Sequence, residues 1–247
     1  MIFKSPAIIF KSIDFKESSE IVTAFTKEHG KLAFMVHGAK KPKKRISGLI
    51  EVGNILELVY YYKSSRSVQT LKEASYLEKT PSLQRDFEKM ALMTTSIELI
   101  NQLLQDGEIN RELFDFTYKF LTWLDKTDVE VRKVFPYLQL RLCELMGIGI
   151  QTVSDPATNG GEGWFLNIEN GAVMPERQTA HHYPLTKNQL NYIKLALNTQ
   201  TSTLFKVDFQ SDELKELINY LDNYLKFHLE GIKDRTSDAI FEQILRE

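Results

Sequence analysis

The sequence predicts an α+β protein of 247 residues. A small antiparallel β-barrel occupies residues 1–80, and a mostly α-helical domain follows over residues 81–247, with a loop-rich insertion at 147–184. Three observations predict this. Up to residue 80, β-branched and aromatic residues come in short runs separated by turn signals. From Pro81 onward the apolar residues recur at helical spacing. Between Gly147 and Pro184 that spacing lapses, and six of the twelve glycines fall there, at 147, 149, 160, 161, 163 and 171.

Each strand has its own signal. Ala7-Ile8-Ile9-Phe10 opens a strand that extends toward Phe15. Ile21 to Thr26 is rich in β-branched and aromatic residues. Glu28-His29-Gly30-Lys31 reads as a tight turn, with Gly30 free to take positive φ. Lys31 to Val36 returns, Ile55 to Tyr62 forms a fourth strand, and Val68 to Ala74 a fifth after the turn Ser64-Ser65-Arg66-Ser67. Tyr60 and Tyr62 share one face and Tyr61 takes the other. Five apolar strands with no long helix between them suggest closure, which removes exposed edges.

The helices follow. Ser82 is placed to cap one carrying Leu83, Phe87, Met90, Thr94, Ile97, Ile100 and Leu104. Asn110 is placed to cap a second with Leu113, Phe114, Tyr118, Leu121 and Leu124. Asp128 is placed to cap a third that runs to Gly147, and Pro136 inside it demands a kink or a break near Phe135. In the insertion, Trp164–Ile168 and Gly171–Met174 are expected to pair as a hairpin. Thr186 with Gln189 has capping-box spacing. Ser211 precedes a long helix through Leu229, and Ser237 to Leu245 forms the last.

Charge is unevenly distributed. Residues 1–80 hold 14 Lys or Arg against 8 Asp or Glu, a balance of +6, and the remainder holds 17 against 25, a balance of −8. The basic excess is concentrated in Lys40-Lys41-Pro42-Lys43-Lys44-Arg45, directly after a predicted strand. Like charges repel in such a loop, and a polyanion relieves the repulsion by releasing its condensed counterions. Phe10, Phe15, Phe25, Phe34 and Tyr60-Tyr61-Tyr62 are candidates for base stacking beside it.

Other chemistry is weakly represented. No apolar run reaches the ~20 residues of a membrane span. Met1–Pro6 lacks a signal peptide's apolar region, so a cytoplasmic protein is expected. The single cysteine, Cys143, excludes an internal disulfide and a Cys-cluster metal site. His29, His37, His181, His182 and His228 are scattered, with no ligand spacing. There is no Gly-rich phosphate loop and no catalytic motif. The expectation is a non-enzyme without metal or cofactor. Lys119, Arg132, Lys133 and Arg141 lie among the helices, where an apolar groove flanked by cations suits a short acidic peptide tail.

The chain resembles the RecO family of bacterial recombination mediators. Ile8 to Ser18 is similar to the family's opening strand. Phe25-Thr26-Lys27-Glu28-His29-Gly30-Lys31-Leu32 is similar to its F-T-x-x-x-G-K-L turn, and Val36 to Lys43 to its basic loop. Leu138–Gly149 is similar to a family helix end. The resemblance implies an N-terminal OB-fold, a helical domain, and a zinc-binding or zinc-derived insertion. It implies binding and annealing of single- and double-stranded DNA in repair and homologous recombination. It also implies contact with the C-terminal tail of single-stranded DNA-binding protein, and loading of recombinase together with RecR, in the cytoplasm at the nucleoid. The implied DNA contacts are Lys40, Lys41 and Lys43, continued by Lys44 and Arg45 and joined by Lys11 and Lys31. Lys119, Arg132, Lys133 and Arg141 are the candidate partner contacts. Many members carry four cysteines in the insertion, and this chain carries none there. The alternative function is a scaffold whose basic loop docks an acidic protein surface.

Overall fold

A computed structural model describes residues 1–40, 46, 48–153, 163–175, 181–198, 201–210 and 212–245. The chain forms two compact units. One comprises Met1–Thr127 with Arg235–Phe241, and the other Asp128–Asp234 with the chain from Glu242 on.

The first unit is built on a closed barrel of β1 (Ile2–Phe15), β2 (Ser19–Thr26), β3 (Gly30–Val36), β4 (Ile55–Tyr61) and β5 (Val68–Glu78), in the order β1-β2-β3-β5-β4. Only β3 and β5 run parallel. Closure depends on the length of β1. Its first half pairs with β4, from Ile2↔Tyr61 to Ile8↔Ile55, and its second half with β2, ending at Phe15↔Ser19. A bulge between Ile9 and Lys11 joins the two halves. The strand begins five residues before the expected Ala7. Pro6 reads as a breaker in sequence, yet it sits opposite Glu57, and its carbonyl accepts from Lys27 N–H at 3.0 Å. Alternate residues of the strands fill the interior, including Ile9, Val22, Ala24, Leu32, Phe34, Leu58 and Tyr60. Gly30 takes φ +67° at the β2–β3 turn, as expected.

The helix expected from Ser82 divides into α1 (Ser82–Arg85) and α2 (Phe87–Leu103). Asp86 is extended at the joint and caps α2 by accepting from Lys89 N–H at 3.1 Å. Ser82 is not the cap. Its own N–H donates to the Asp125 carboxylate at 2.7 Å, so a carboxylate remote in sequence caps α1. Asn110 caps α3 (Arg111–Lys126) as expected, accepting from Leu113 N–H at 3.0 Å.

In the second unit a 3₁₀ turn at Val131–Lys133 leads into α4 (Val134–Leu145). The stretch is thus divided between Lys133 and Val134, close to the break expected near Phe135, and Pro136 lies in the first turn of α4, where its missing N–H would have had no partner in any case. Asp128 caps nothing here, since the helix starts later. Gly147, at φ +76°, closes α4 as expected. The expected hairpin is present as β7 (Trp164–Asn167) and β8 (Ala172–Met174), paired at Phe165↔Met174 and Leu166↔Val173. Two strands unmarked in sequence join it, β6 (Gln151–Thr152) and β9 (His182–Leu185), in the order β6-β8-β7-β9. The capping box opens α5 (Lys187–Leu197), with Thr186 and Gln189 bonded both ways at 3.2 and 2.9 Å. A single turn, α6 (Thr201–Leu204), precedes the expected long helix, α7 (Glu213–His228), and Ser211 before it lies outside the described residues. The last helix is α8 (Asp238–Leu245). Among the described residues no helix is long and apolar enough to cross a membrane.

Candidate nucleic-acid interface

The exterior of the barrel divides into a covered part and an open part. Ile8, Phe10 and Phe25 point away from the barrel core yet are buried. Phe25 packs on Phe114 of α3 at 5.3 Å between ring centroids. The bulge after Ile9 then shifts the register, and the outward residues beyond it are uncovered. Two rows cross the strands here. Ile13, Ile21, Met35 and Thr70 form one, and Lys11, Thr23, Ala33 and Val68 the other. Lys11 is exposed, Ile13 is 46 % exposed, and the others are half-buried. The result is a shallow, largely apolar face with a cation at its edge.

The basic loop starts at one end of this face. Its base is packed into the barrel, since Ala39 and Ile50 belong to the core and Ile46 and Leu49 pack against it. On the return side, Asn54 donates to the carbonyls of Gly48 and Leu49 at 3.2 and 2.9 Å. Lys40 is exposed, and its ammonium lies 2.6 Å from Asp14. The Asp14 carboxylate is 76 % exposed, so the pair contributes about 0–1 kcal/mol. Lys41, Lys43, Lys44 and Arg45 lie outside the described residues.

Lys31 is placed differently. Its side chain is 13 % exposed, 3.5 Å from Asp106. The ammonium donates to the carbonyls of Asn101 and Leu104 at 3.1 and 2.5 Å. These are last-turn carbonyls of α2 and its cap, which have no partner within the helix. Lys31 therefore acts as a C-terminal cap that ties the barrel to α2.

Most of the aromatic candidates are unavailable for stacking. Phe10, Phe25, Phe34 and Tyr60 are buried, Phe15 and Tyr62 half-buried, and Tyr61 exposed. Tyr60 and Tyr61 do face opposite ways. The Tyr60 hydroxyl lies 2.7 Å from Nδ1 of His29. Burial holds the imidazole below its usual range, against a smaller upward pull from Glu28, and pushes the Tyr60 phenol up to about 12.

The four candidate partner contacts fall in both units. In the first unit, Lys119 is exposed on α3 beside a ladder of rings, Phe116 on Phe120 at 6.1 Å and Phe120 on Trp123 at 6.3 Å. In the second, Arg132 and Lys133 both pair with Glu130. Burial pushes the Glu130 carboxyl up, but hydrogen bonds and charge from those two cations outweigh it and hold it below the usual range. They line a cleft of about 600 Å³ with Asp212, Lys215 and Glu242, where both signs of charge alternate. Arg141 pairs with Glu144 at 2.5 Å one turn along α4.

Catalytic and metal chemistry find little support in the geometry. Cys143 is buried, and burial pushes its thiol up to about 12, so it is no nucleophile at neutral pH. Among the described residues no cluster of His, Cys, Asp or Glu could hold a metal ion. The insertion's turn is ordered by side chains instead. Asn167 is buried and accepts from the N–H groups of Glu169 and Asn170 at 2.9 and 3.4 Å. His228 bonds the Ile168 carbonyl at 2.7 Å, and the Tyr224 hydroxyl donates to the Ile148 carbonyl at 2.8 Å. Among the described residues of the insertion the donor set suits backbone amides and carbonyls and does not fit zinc.

Sequence reading missed the open rows. The alternation in Lys31–Val36 assigns outward residues to β3, but the bulge that puts Lys11 and Ile13 beside them is invisible without the pairing.

Comparison with known proteins agrees with this architecture. The family model described as "Recombination protein O N terminal" matches residues 1–79, and that described as "Recombination protein O C terminal" matches residues 84–238. The DNA repair protein RecO of Chlorobium limicola is 28 % identical over 261 residues, covering 99 % of each chain. That of Salinibacter ruber is 25 % identical over 246 residues, covering 98 % of this chain and 94 % of its own. That of an Exiguobacterium species is 26 % identical over 248 residues, covering 100 % and 98 %. With both family models matched in order along nearly its whole length, and the N-terminal one coinciding with a closed five-stranded barrel of OB type, the chain belongs to the RecO family.

Proposed function

We propose that this protein is a non-enzymatic mediator of DNA repair and homologous recombination. In this reading it binds single- and double-stranded DNA, anneals complementary strands, and helps load recombinase onto DNA covered by single-stranded DNA-binding protein. The observation that carries the reading is the open outer face of β1, β2, β3 and β5, with the basic loop rooted at one end and Lys11 at its edge. Cations along such a face gather phosphates without reading base sequence. Bringing two strands to one cationic surface lowers their mutual repulsion and lets bases pair.

Residues 1–80 are the DNA-binding domain in this account. Residues 81–247 carry partner contacts, with 147–184 as a degenerate zinc-finger-like insertion. Lys40, Lys41, Lys43, Lys44, Arg45 and Lys11 are the proposed phosphate contacts, while Lys31 contributes by fixing the barrel against α2. Lys119, Arg132, Lys133 and Arg141 are the proposed contacts for RecR or for the acidic tail of single-stranded DNA-binding protein. The protein works in the cytoplasm, at the nucleoid.

The test is a charge reversal. Lys40→Glu with Lys41→Glu and Lys43→Glu abolishes binding of single-stranded DNA and leaves the unfolding transition unchanged. In the unaltered protein, log K falls linearly with log salt. A triple variant that binds as tightly as the unaltered protein at ~100 mM salt, near physiological ionic strength, refutes the proposal. Retention of binding to an acidic protein, with no shift of plain oligonucleotides, would favour the scaffold reading.

A further inference from the structure

Helix α7 turns one side inward and is pinned there along its length. Leu214, Leu217, Ile218, Leu221 and Leu225 are buried. Gln139 of α4, fully buried, donates to the Ile218 carbonyl at 3.1 Å and to the Asp222 carboxylate at 2.7 Å. Farther along, Tyr224 and His228 bond the carbonyls of Ile148 and Ile168. The rest of the helix is therefore presented rigidly, which removes an ordering cost from binding.

Two neighbouring rows run along that remainder, and they differ. Lys215, Asn219, Asp222 and Lys226 form one, at i, i+4, i+7 and i+11. Its cations are compensated, Lys215 by Glu242 at 3.7 Å and Lys226 by Asp234 at 2.6 Å. The next row, one residue on, is Glu216, Tyr220, Asn223 and Phe227, and it contains no cation. Glu216 is exposed, and among the described residues it has no ion-pair partner. Phe227 is 55 % exposed, more than any other phenylalanine, tyrosine or tryptophan of the described residues. The row extends about 16 Å, at ~1.5 Å per residue.

Strand β9 widens this second row. Tyr183 stacks on Tyr220 with ring centroids 4.3 Å apart and planes 6° from parallel, and its hydroxyl accepts from Asn223 Nδ2 at 2.9 Å. Burial first, then the Glu216 carboxylate and then Tyr183 push the Tyr220 phenol up. At the far end the Phe227 ring lies 5.1 Å from His228 and 6.4 Å from His181, and His181 itself faces Glu169 at 3.0 Å.

The chemistry of the row selects its occupant. A carboxylate beside rings repels phosphate, so a nucleic acid does not suit it. A second copy offering the same row would bring no cation to Glu216. An arginine suits both parts, because its planar guanidinium stacks on aromatic faces and pairs with a carboxylate. A ridge of residues at this spacing is what a second helix packs along.

We propose that this row of α7, widened by Tyr183, docks a basic amphipathic helix of another protein. An arginine of that helix stacks on the tyrosine pair and pairs with Glu216, and an apolar residue seven positions away covers Phe227. The ligand is opposite in charge to the acidic tail proposed above for Lys119, Arg132, Lys133 and Arg141, so the two sites are separate.

Fluorescence anisotropy on the full chain tests it with a designed helical peptide that carries arginine and leucine seven residues apart on one face, and with its arginine→glutamate counterpart. The unaltered protein binds the arginine peptide more tightly than the glutamate peptide. Glu216→Lys weakens the arginine peptide by about tenfold and strengthens the glutamate peptide, and Phe227→Ser weakens the arginine peptide by about the same factor. Lys215→Gln and Lys226→Gln, on the neighbouring row, leave its affinity unchanged. Glu216 and Phe227 are both exposed, and an unchanged unfolding midpoint shows that their variants fold. If the unaltered protein does not bind the arginine peptide, or binds it no more tightly than Glu216→Lys does, the proposal is overturned. Self-association in sedimentation that Phe227→Ser abolishes overturns it as well, because the row then belongs to a second copy.

Discussion

The Glu98 carboxylate accepts the backbone N–H of Ser237 at 2.9 Å and its hydroxyl at 2.6 Å, joining positions 139 apart in sequence. Thr236 adds its N–H at 2.8 Å and its hydroxyl at 3.0 Å. Four donors on one carboxylate hold residues 235–241 against α2. Asp238 adds to this, within 2.8 Å of Arg235 Nε and 3.2 Å of the Thr95 hydroxyl.

Burial pushes the Glu98 carboxyl up, but the bonds from Ser237 and Thr236 outweigh it and hold it below the usual carboxylate range. A group whose folded pKa is depressed contributes stability above its unfolded pKa and loses it as pH falls through the folded value. Urea unfolding should therefore show stability dropping below about pH 4.5, the carboxylate's ordinary range. Glu98→Gln should flatten that dependence and cost about 1 kcal/mol at neutral pH, since it replaces charge-assisted bonds to the exposed Thr236 and part-buried Ser237 donors with weaker ones.

Lys31 and Lys40 should separate cleanly in denaturation. Lys31→Ala strips the partners from the carbonyls of Asn101 and Leu104 and should cost about 1–3 kcal/mol. Lys40→Ala removes only the exposed pair with Asp14 and should change stability by less than about 1 kcal/mol. Equal losses from the two would show that Lys31 is not a structural cap.

Gly30→Ala should be among the most damaging single changes. A Cβ there would lie 1.8 Å from the Glu108 carbonyl oxygen, on a backbone at φ +67°. Backbone cannot yield as a flexible side chain can, so the loss should exceed about 2 kcal/mol in urea titration. Gly48→Ala, with nothing within 4 Å of its Cβ, is the control and should be nearly silent.

The insertion should be indifferent to chelators. Because Asn167, Tyr224 and His228 bond its turns directly, Tm should be the same with and without EDTA. Gly171→Ala should lower it, because a Cβ would sit 2.4 Å from the Tyr224 hydroxyl and displace its bond to Ile148.

Legibility in the sequence followed the range of the interactions. Strands and helices set by local periodicity, such as Lys31–Val36 or the Thr186–Gln189 cap, could be read directly. So could the charge of the basic loop, because charge is a property of composition. What could not be read depends on partners far along the chain. Asp125 caps α1 instead of Ser82, and residues 2–6 join β1 because β4 offers them a register. Lys31 looks in sequence like Lys40, another cation beside a strand. Only the position of α2's last carbonyls tells a cap from a surface charge.

The return of residues 235–241 to the first unit sets an order of events during synthesis. The barrel and α1–α3 are translated first, yet the seat beside Glu98 stays vacant until the chain has been made almost to its last helix. Domains generally fold as they emerge from the ribosome, but this unit cannot be finished that way. A nascent chain stalled before Arg235, or a gene cut there, leaves the Glu98 carboxylate facing water and the flank of α2 open. The unit that holds the barrel is thus completed by a segment made long after α3, and fragments meant to isolate the barrel with its helices must carry residues 235–241 to be whole.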